Sequence, residues 1–214
     1  MIRAFAWLSL AFCCVLVARP LHASDTAEDV LERVRDRYDK ITDARLYFTQ
    51  MVTMTLAGIE QKVSGTLYIK KTNMYRLEMP ERTVVTDGKT VWSYSVPNKQ
   101  VLVDRFKLTS GSLTPEQILT GAPEDFFSTL LDPEQLGDSR TLVVKLVPRN
   151  DASLIQSLKL WVDDKSWLIK KVELVDVNEK KTEYLVRDIR MNSGLPDSQF
   201  TYQIPEGVEV VDLR

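Results

Sequence analysis

The chain has 214 residues, 27% charged and 44% hydrophobic, with 28 Lys+Arg against 30 Asp+Glu and a formal net charge of −2. This is a globular composition, long enough for one sizeable core. The only histidine and both cysteines (His22, Cys13, Cys14) lie in the first 22 positions, and that placement decides most of what the protein is not.

Those positions read as a secretory signal peptide. Arg3 supplies the positive start, Ala4 to Ala18 is an uncharged and mostly apolar run, and Leu21-His22-Ala23 places a small residue at the expected cut. Residues 1–23 are therefore expected to be removed, leaving residues 24–214 as one domain. A membrane helix needs about 20 apolar residues, and Arg19-Pro20 closes this run too early. A lipid-modified Cys13 is disfavoured because Phe12 stands where a lipobox wants a small residue. The mature chain would carry a net charge of about −4, with no histidine and no cysteine. Zinc sites built on Cys or His, serine–histidine triads, cysteine nucleophiles, histidine acid–base chemistry, haem with histidine or cysteine ligation, and disulfides are excluded for it.

Residues 26–41 predict an amphipathic helix. Val30, Leu31, Val34, Tyr38 and Ile41 recur at helical spacing, with charged residues on the other face. From Ala44 the period becomes two: Leu46, Phe48, Val52, Met54 and Leu56 share one face of a long strand, and Val63, Gly65, Leu67 and Ile69 share one face of a second. Shorter strands follow at about 74–79, 82–86, 90–96 and 99–106, with Asp87-Gly88 and Pro97-Asn98 as turns. The alternation resumes at 140–147, 156–163, 167–176, 181–191 and 199–204. About eleven antiparallel strands result, which fits an unclosed β-barrel.

The interval 109–133 predicts a helical lid. Thr114-Pro115-Glu116-Gln117 has the form of a capping box, Ile118 and Leu119 give the first helix its apolar side, and Gly121-Ala122-Pro123 leads into a second helix carrying Phe126, Phe127, Leu130 and Leu131. The fold class is thus mainly β with helices: an open barrel with an N-terminal helix and a short lid over an apolar cavity.

The residues offer little for catalysis. The paired carboxylates Asp163-Asp164, Glu124-Asp125 and Glu28-Asp29 fall at turns or helix starts, where they serve as turn formers and first-turn charges. No Gly-x-Ser-x-Gly elbow marks a serine nucleophile, and no Asp-x-Asp-x-Asp-Gly loop marks calcium. Lysine pairs are dispersed through an acidic chain with no basic stripe for nucleic acid. Neither an enzyme nor a cofactor or metal is expected. The apolar strands and the lid remain, and together they point to a ligand cavity.

The segments Val63-Ser64-Gly65-Thr66-Leu67-Tyr68-Ile69-Lys70-Lys71-Thr72-Asn73-Met74-Tyr75-Arg76-Leu77 and Val84-Val85-Thr86-Asp87-Gly88-Lys89-Thr90-Val91-Trp92-Ser93-Tyr94 resemble the LolA family of periplasmic outer-membrane lipoprotein carriers. Phe48-Thr49-Gln50 and Phe200-Thr201-Tyr202-Gln203-Ile204-Pro205-Glu206-Gly207-Val208 are similar to the same pattern, in the same order. The resemblance implies an eleven-stranded open barrel with a helical lid around a cavity for acyl chains. It implies acylated lipoproteins as cargo, an ATP-driven inner-membrane complex that loads the carrier, and a LolB-like outer-membrane receptor. A soluble periplasmic monomer that binds no nucleic acid is expected. An outer-membrane receptor or a lipoprotein-sensing domain of the same fold is the alternative. The expected cavity wall is Phe48, Leu67, Ile69, Tyr75, Leu77 and Trp92, and the expected inner face of the lid is Ile118, Leu119, Phe126, Phe127 and Leu130. Where the family has an arginine that holds the lid, this chain has Lys71, which keeps the charge without the planar fork of donors.

Overall fold

A computed structural model of the chain describes residues 25–54, 58–107 and 125–214. The expected signal peptide and the first lid helix, with Ile118 and Leu119, lie outside the described residues.

The N-terminal helix α1 spans Ala27–Asp39 and starts where its sequence supplies a cap. The Thr26 hydroxyl oxygen accepts from the Asp29 N–H at 3.2 Å, and the Asp29 carboxylate accepts from the Thr26 N–H at 2.8 Å. This reciprocal pair satisfies two donors that a helix start otherwise leaves unmet. Ala27, Val30, Leu31 and Val34 form its buried stripe.

Twelve strands form one sheet, in the order β12-β6-β5-β4-β3-β2-β1-β11-β10-β9-β8-β7. Strand β1 (Asp43–Met54) stands in the middle, paired with β2 (Ile59–Lys70) on one side and with β11 (Lys180–Met191) on the other. Hairpins carry the sheet outward through β3 (Met74–Met79), β4 (Arg82–Asp87), β5 (Thr90–Ser95) and β6 (Gln100–Arg105). The other half is built by β7 (Phe126–Leu136), β8 (Ser139–Pro148), β9 (Ile155–Asp163) and β10 (Ile169–Asp176), whose hairpins lead back to β11. Strand β12 (Glu209–Asp212) joins the far edge, parallel to β6. The sheet curls without closing and leaves β7 and β12 as its edges.

The helix packs inside the curl. Its apolar stripe meets Phe126, Leu142, Val144, Leu146, Leu158, Leu160, Val162, Ile169 and Val172, the inward rows of β7 to β10. The opposite face of β9 to β11 carries charged pairs beside the buried Trp161, and there Lys171 Nζ lies 2.5 Å and Lys181 Nζ 3.6 Å from the Glu183 carboxylate.

Three expectations change. Phe126, Phe127, Leu130 and Leu131 do not lie on a helix; they open strand β7. Phe126 stands opposite Pro148 and Leu130 opposite Val144, so Phe126, Ser128 and Leu130 share the inward row, while Phe127 is 56% exposed. The free backbone of β8 supplies a full row of partners for this segment. Pro133, which would break an interior ladder, falls at a bulge of an edge strand. The span 199–204 is not a strand: a single 3-10 turn, Asp197–Phe200, sets the Phe200 ring fully buried against β3 and β4. Finally, β7 and β12 bring the sheet to twelve strands where about eleven were expected.

Candidate functional site: the apolar floor beyond the helix

Helix α1 covers the β7–β10 half of the inner face. On the β11–β1–β2–β3 half the inward side chains form a second apolar group, which Ile69 and Tyr184 join to the first. Leu46, Phe48 and Leu67 are buried there, and Ile69, Tyr75, Leu77, Met79, Tyr184, Val186 and Ile189 pack on them half-buried. Register explains the grouping. Leu46 stands opposite Leu67, which stands opposite Leu77; Ala44 stands opposite Ile69, which stands opposite Tyr75. Facing residues of an antiparallel ladder share a side, so one row after another points into the curl.

The structure thus brings together five of the six expected wall residues: Phe48, Leu67, Ile69, Tyr75 and Leu77. Trp92 is not with them. It stands opposite Val85 on β4 and Val103 on β6, and Val85 stands opposite Arg76, whose row faces away from Leu77. The inward residue of β5 at that level is Val91, paired with Thr86, which in turn faces Tyr75. Trp92 belongs to the outer face.

Gly65 shapes the floor. It stands opposite Phe48, and a Cβ placed on it would lie 2.6 Å from the Phe48 Cζ and 2.6 Å from the Glu78 carbonyl oxygen. Only a residue without a side chain lets that ring lie across the second strand. The ring also meets Tyr184, at 6.0 Å between centroids with the planes tilted by 58°. The Tyr184 hydroxyl accepts from Gln50 Nε2 at 3.0 Å. That bond explains the one polar interruption on the inward face of β1, because a half-buried phenol oxygen needs a partner. Burial pushes the Tyr75 and Tyr184 phenols above their ordinary pKa, so both stay neutral.

At the rim a cleft of about 310 Å³ opens between the end of α1 and the start of β1, bordered by Tyr38, Ile41, Ala44, Leu46, Ile69 and Ile189. Lys71 stands at its edge. Its Nζ donates to the Asp39 carbonyl at 2.7 Å, one of the carbonyls a helix end leaves without a partner. In the structure Lys71 therefore ties the β2–β3 turn to α1. The lid carbonyls of the expected latch fall in residues outside the described ones.

Glu124 lies outside the described residues, and the pairs Asp163-Asp164 and Glu28-Asp29 are engaged elsewhere. Burial alone would raise the Asp163 pKa, but hydrogen bonds from the Ser166 N–H and hydroxyl and from the Lys165 N–H outweigh it and hold the carboxyl at about 2. Asp164 pairs with Arg140 at 3.0 Å, and Glu28 accepts from the Ser128 hydroxyl at 2.6 Å. Among the described residues no group of three or more His, Cys, Asp or Glu side chains could hold a metal ion. No helix among them is long and apolar enough to cross a membrane.

Sequence reasoning omitted Leu46, Met79, Tyr184, Val186 and Ile189 from the floor. Leu46 was within reach, since it has the parity of Phe48. The β11 residues were not, because their pairing to β1 spans more than 130 positions of the chain and leaves no local signal.

The fold and the site together define a half-barrel protein with an apolar interior. Comparison with known proteins gives the family: the chain belongs to the family described as "Outer membrane lipoprotein carrier protein LolA", which matches residues 39–203. An outer-membrane lipoprotein carrier protein of Sodalis glossinidius is 29% identical over 210 residues, covering 96% of each chain. One from Histophilus somni is 28% identical over 192 residues, covering 88% of this chain and 90% of its own. An uncharacterized conserved protein from Thermus thermophilus shares the fold, with a TM-score of 0.59 at 14% identity over 87% of this chain and 98% of its own.

Proposed function

We propose that this protein is a periplasmic carrier that accepts acylated lipoproteins released from the inner membrane, covers their acyl chains inside the curled sheet and delivers them to an outer-membrane receptor. The observation that carries the reading is the apolar floor of β11, β1, β2 and β3, a second cluster beside the core that α1 packs on and joined to it through Ile69 and Tyr184, in a chain of this family. An ATP-driven releasing complex would load it, and a LolB-like receptor would take the cargo.

The energetics agree with that task. Each methylene taken from water is worth about 0.8 kcal/mol, so three long acyl chains resist an aqueous crossing by on the order of 30 kcal/mol. Non-covalent affinity saturates near −18 to −21 kcal/mol. A carrier therefore covers the chains and releases them; it does not outcompete a bilayer unaided.

The test is a release assay. Mature protein incubated with spheroplasts should bring lipoproteins into the soluble fraction in complex with it, and absence of release with the loading complex present defeats the proposal. Ile69→Glu, which puts a carboxylate on the floor and at the cleft, should reduce release and apolar-dye binding at least tenfold while circular dichroism stays unchanged. Release at the original level by that variant removes Ile69 from the site.

A further inference from the structure

The side of the sheet turned away from α1 carries a cluster of arginines that nothing in the cavity explains. On β1, Arg45 and Tyr47 alternate with the inward Leu46 and Phe48. Arg45 stands opposite Arg190 on β11 and opposite Tyr68 on β2, and Tyr47 stands opposite Arg187. Arg187 and Arg190 are three positions apart, a spacing that in a regular strand sends them to opposite faces. A bulge brings them to the same one: Asp188, at φ 44°, is skipped in the ladder between the Leu46–Ile189 and Tyr47–Arg187 pairs. Bulges commonly re-aim a side chain, and this one turns a third guanidinium outward.

The charge there is largely uncompensated. Like charges directly opposite one another destabilise a sheet, yet Arg45 and Arg190 are so placed. Among the described residues no carboxylate lies within 4.0 Å of the nitrogens of Arg45 or Arg187, and Arg190 reaches only Asp188, at 3.9 Å. The Arg45 guanidinium donates to the Tyr47 hydroxyl and is held over the Tyr47 ring at 4.7 Å and the Tyr68 ring at 5.4 Å, and its Nε is buried with no hydrogen-bond partner among the described residues. Neighbouring cations, by contrast, are occupied. Lys70 pairs with Asp197 at 2.6 Å, Arg76 with Glu78 at 2.6 Å, and Lys171 with Glu183 at 2.5 Å.

We propose that the outward patch of Arg45, Arg187, Arg190, Tyr47 and Tyr68 is a docking surface for an anionic phospholipid bilayer, whose headgroup phosphates the guanidiniums contact. Guanidiniums match phosphate oxygens through paired N–H donors, and tyrosines favour the membrane–water boundary. A strand-adding peptide is disfavoured, because β1 lies mid-sheet with both edges paired. A single free phosphate is disfavoured too, since Arg187 and Arg190 are exposed and stand opposite different residues of β1, whereas a bilayer offers many phosphates in a plane. The chain as a whole is net negative, so the patch would also orient it, cavity side away from the lipid it touches. The proposal stands apart from the reading of the apolar floor.

The experiment measures co-sedimentation of the mature protein with vesicles of equal parts phosphatidylglycerol and phosphatidylcholine, and with vesicles of phosphatidylcholine alone. Binding to the first set alone is expected, and it should fade at 1 M salt, where the screening length is roughly 3 Å. A basic residue near an anionic surface contributes roughly fivefold in affinity, so Arg187→Gln with Arg190→Gln should cost roughly 25-fold and adding Arg45→Gln roughly 100-fold. The double variant alters only exposed side chains and keeps the test valid if the triple one fails to fold. Equal binding by wild type and double variant overturns the proposal, as does no binding by wild type. Displacement by inorganic phosphate beyond that by sodium chloride of equal ionic strength would reveal a free-phosphate site instead. Equal capture by neutral vesicles bearing an acidic polypeptide would point to a protein partner and likewise overturn it.

Discussion

Gly65→Ala measures how closely the two central strands are fitted. Gly65 is not at positive φ, so alanine meets no backbone objection and by its smaller unfolded-state entropy would stabilise by about 0.4–1 kcal/mol. The structure opposes that gain, because the added methyl would sit 2.6 Å from the Glu78 carbonyl oxygen and 2.6 Å from the Phe48 ring. The carbonyl belongs to the β2–β3 pairing and cannot move alone, and the ring is backed by Tyr184. Overpacking of this kind costs about 1–3 kcal/mol, which leaves a net loss of roughly 1–2 kcal/mol. For a chain of this size that lowers the melting temperature by roughly 2–8 °C. Urea unfolding followed by circular dichroism reads the change. In a Phe48→Leu background the same substitution should cost less, with a coupling of at least about 0.5 kcal/mol. Stability of Gly65→Ala at or above wild type would refute the account of the floor, and strict additivity would acquit the Phe48 ring.

Other parts of the molecule give separate tests. Thr26→Ala removes the cap of α1 and should lower stability by about 1 kcal/mol, measured by urea unfolding; an unchanged midpoint would mean the helix is held by its apolar stripe alone. Asp163→Asn should destabilise at neutral pH. Because the carboxyl is held at about 2 in the folded chain, below its ordinary value near 3.9, its contribution is complete above about pH 4 and disappears as pH falls through about 2. Wild type and variant should therefore converge across that window, and a constant difference would contradict the assignment. Lys71→Met removes the exposed bond to the Asp39 carbonyl and should cost about 0.5–1 kcal/mol, seen as a lower melting temperature; no shift would show that the bond does not hold in solution.

Where the chain's local pattern was unambiguous, sequence and structure agree. Val30, Leu31 and Val34 state a helix and its buried stripe, and Leu46 and Phe48 against Leu67 and Ile69 state two strands that face one another. Trp92 shows how such reasoning decays. Each hairpin fixes parity, and an error of one residue moves a whole strand to the other face. Two turns separate Tyr75 from β5, and a count through the Thr86–Val91 pair leads to Val91, whereas size alone favours Trp92. Phe126, Phe127, Leu130 and Leu131 satisfy helical spacing, yet Phe126 and Leu130 also satisfy a period of two; only the waiting edge of β8 decides. Strand β12 is four residues that pair in parallel with a strand about a hundred positions earlier, and nothing local foretells it. The arginine patch depends on a bulge, which is a property of two strands together and is written in neither alone.

The gap between β7 and β12 sets how the interior responds to load. In a closed barrel the circumference is fixed by its hydrogen-bonded ladders, and widening the lumen means breaking them. Here no ladder joins the two edges. The two halves of the sheet flank β1, and changing their twist or splay enlarges the interior while every backbone pair stays made. Resistance comes instead from the side-chain contacts that Ile69 and Tyr184 make with both apolar clusters, which are individually weak. The interior thus behaves as a compliant volume, in which guests of unequal bulk meet a graded cost and not a threshold.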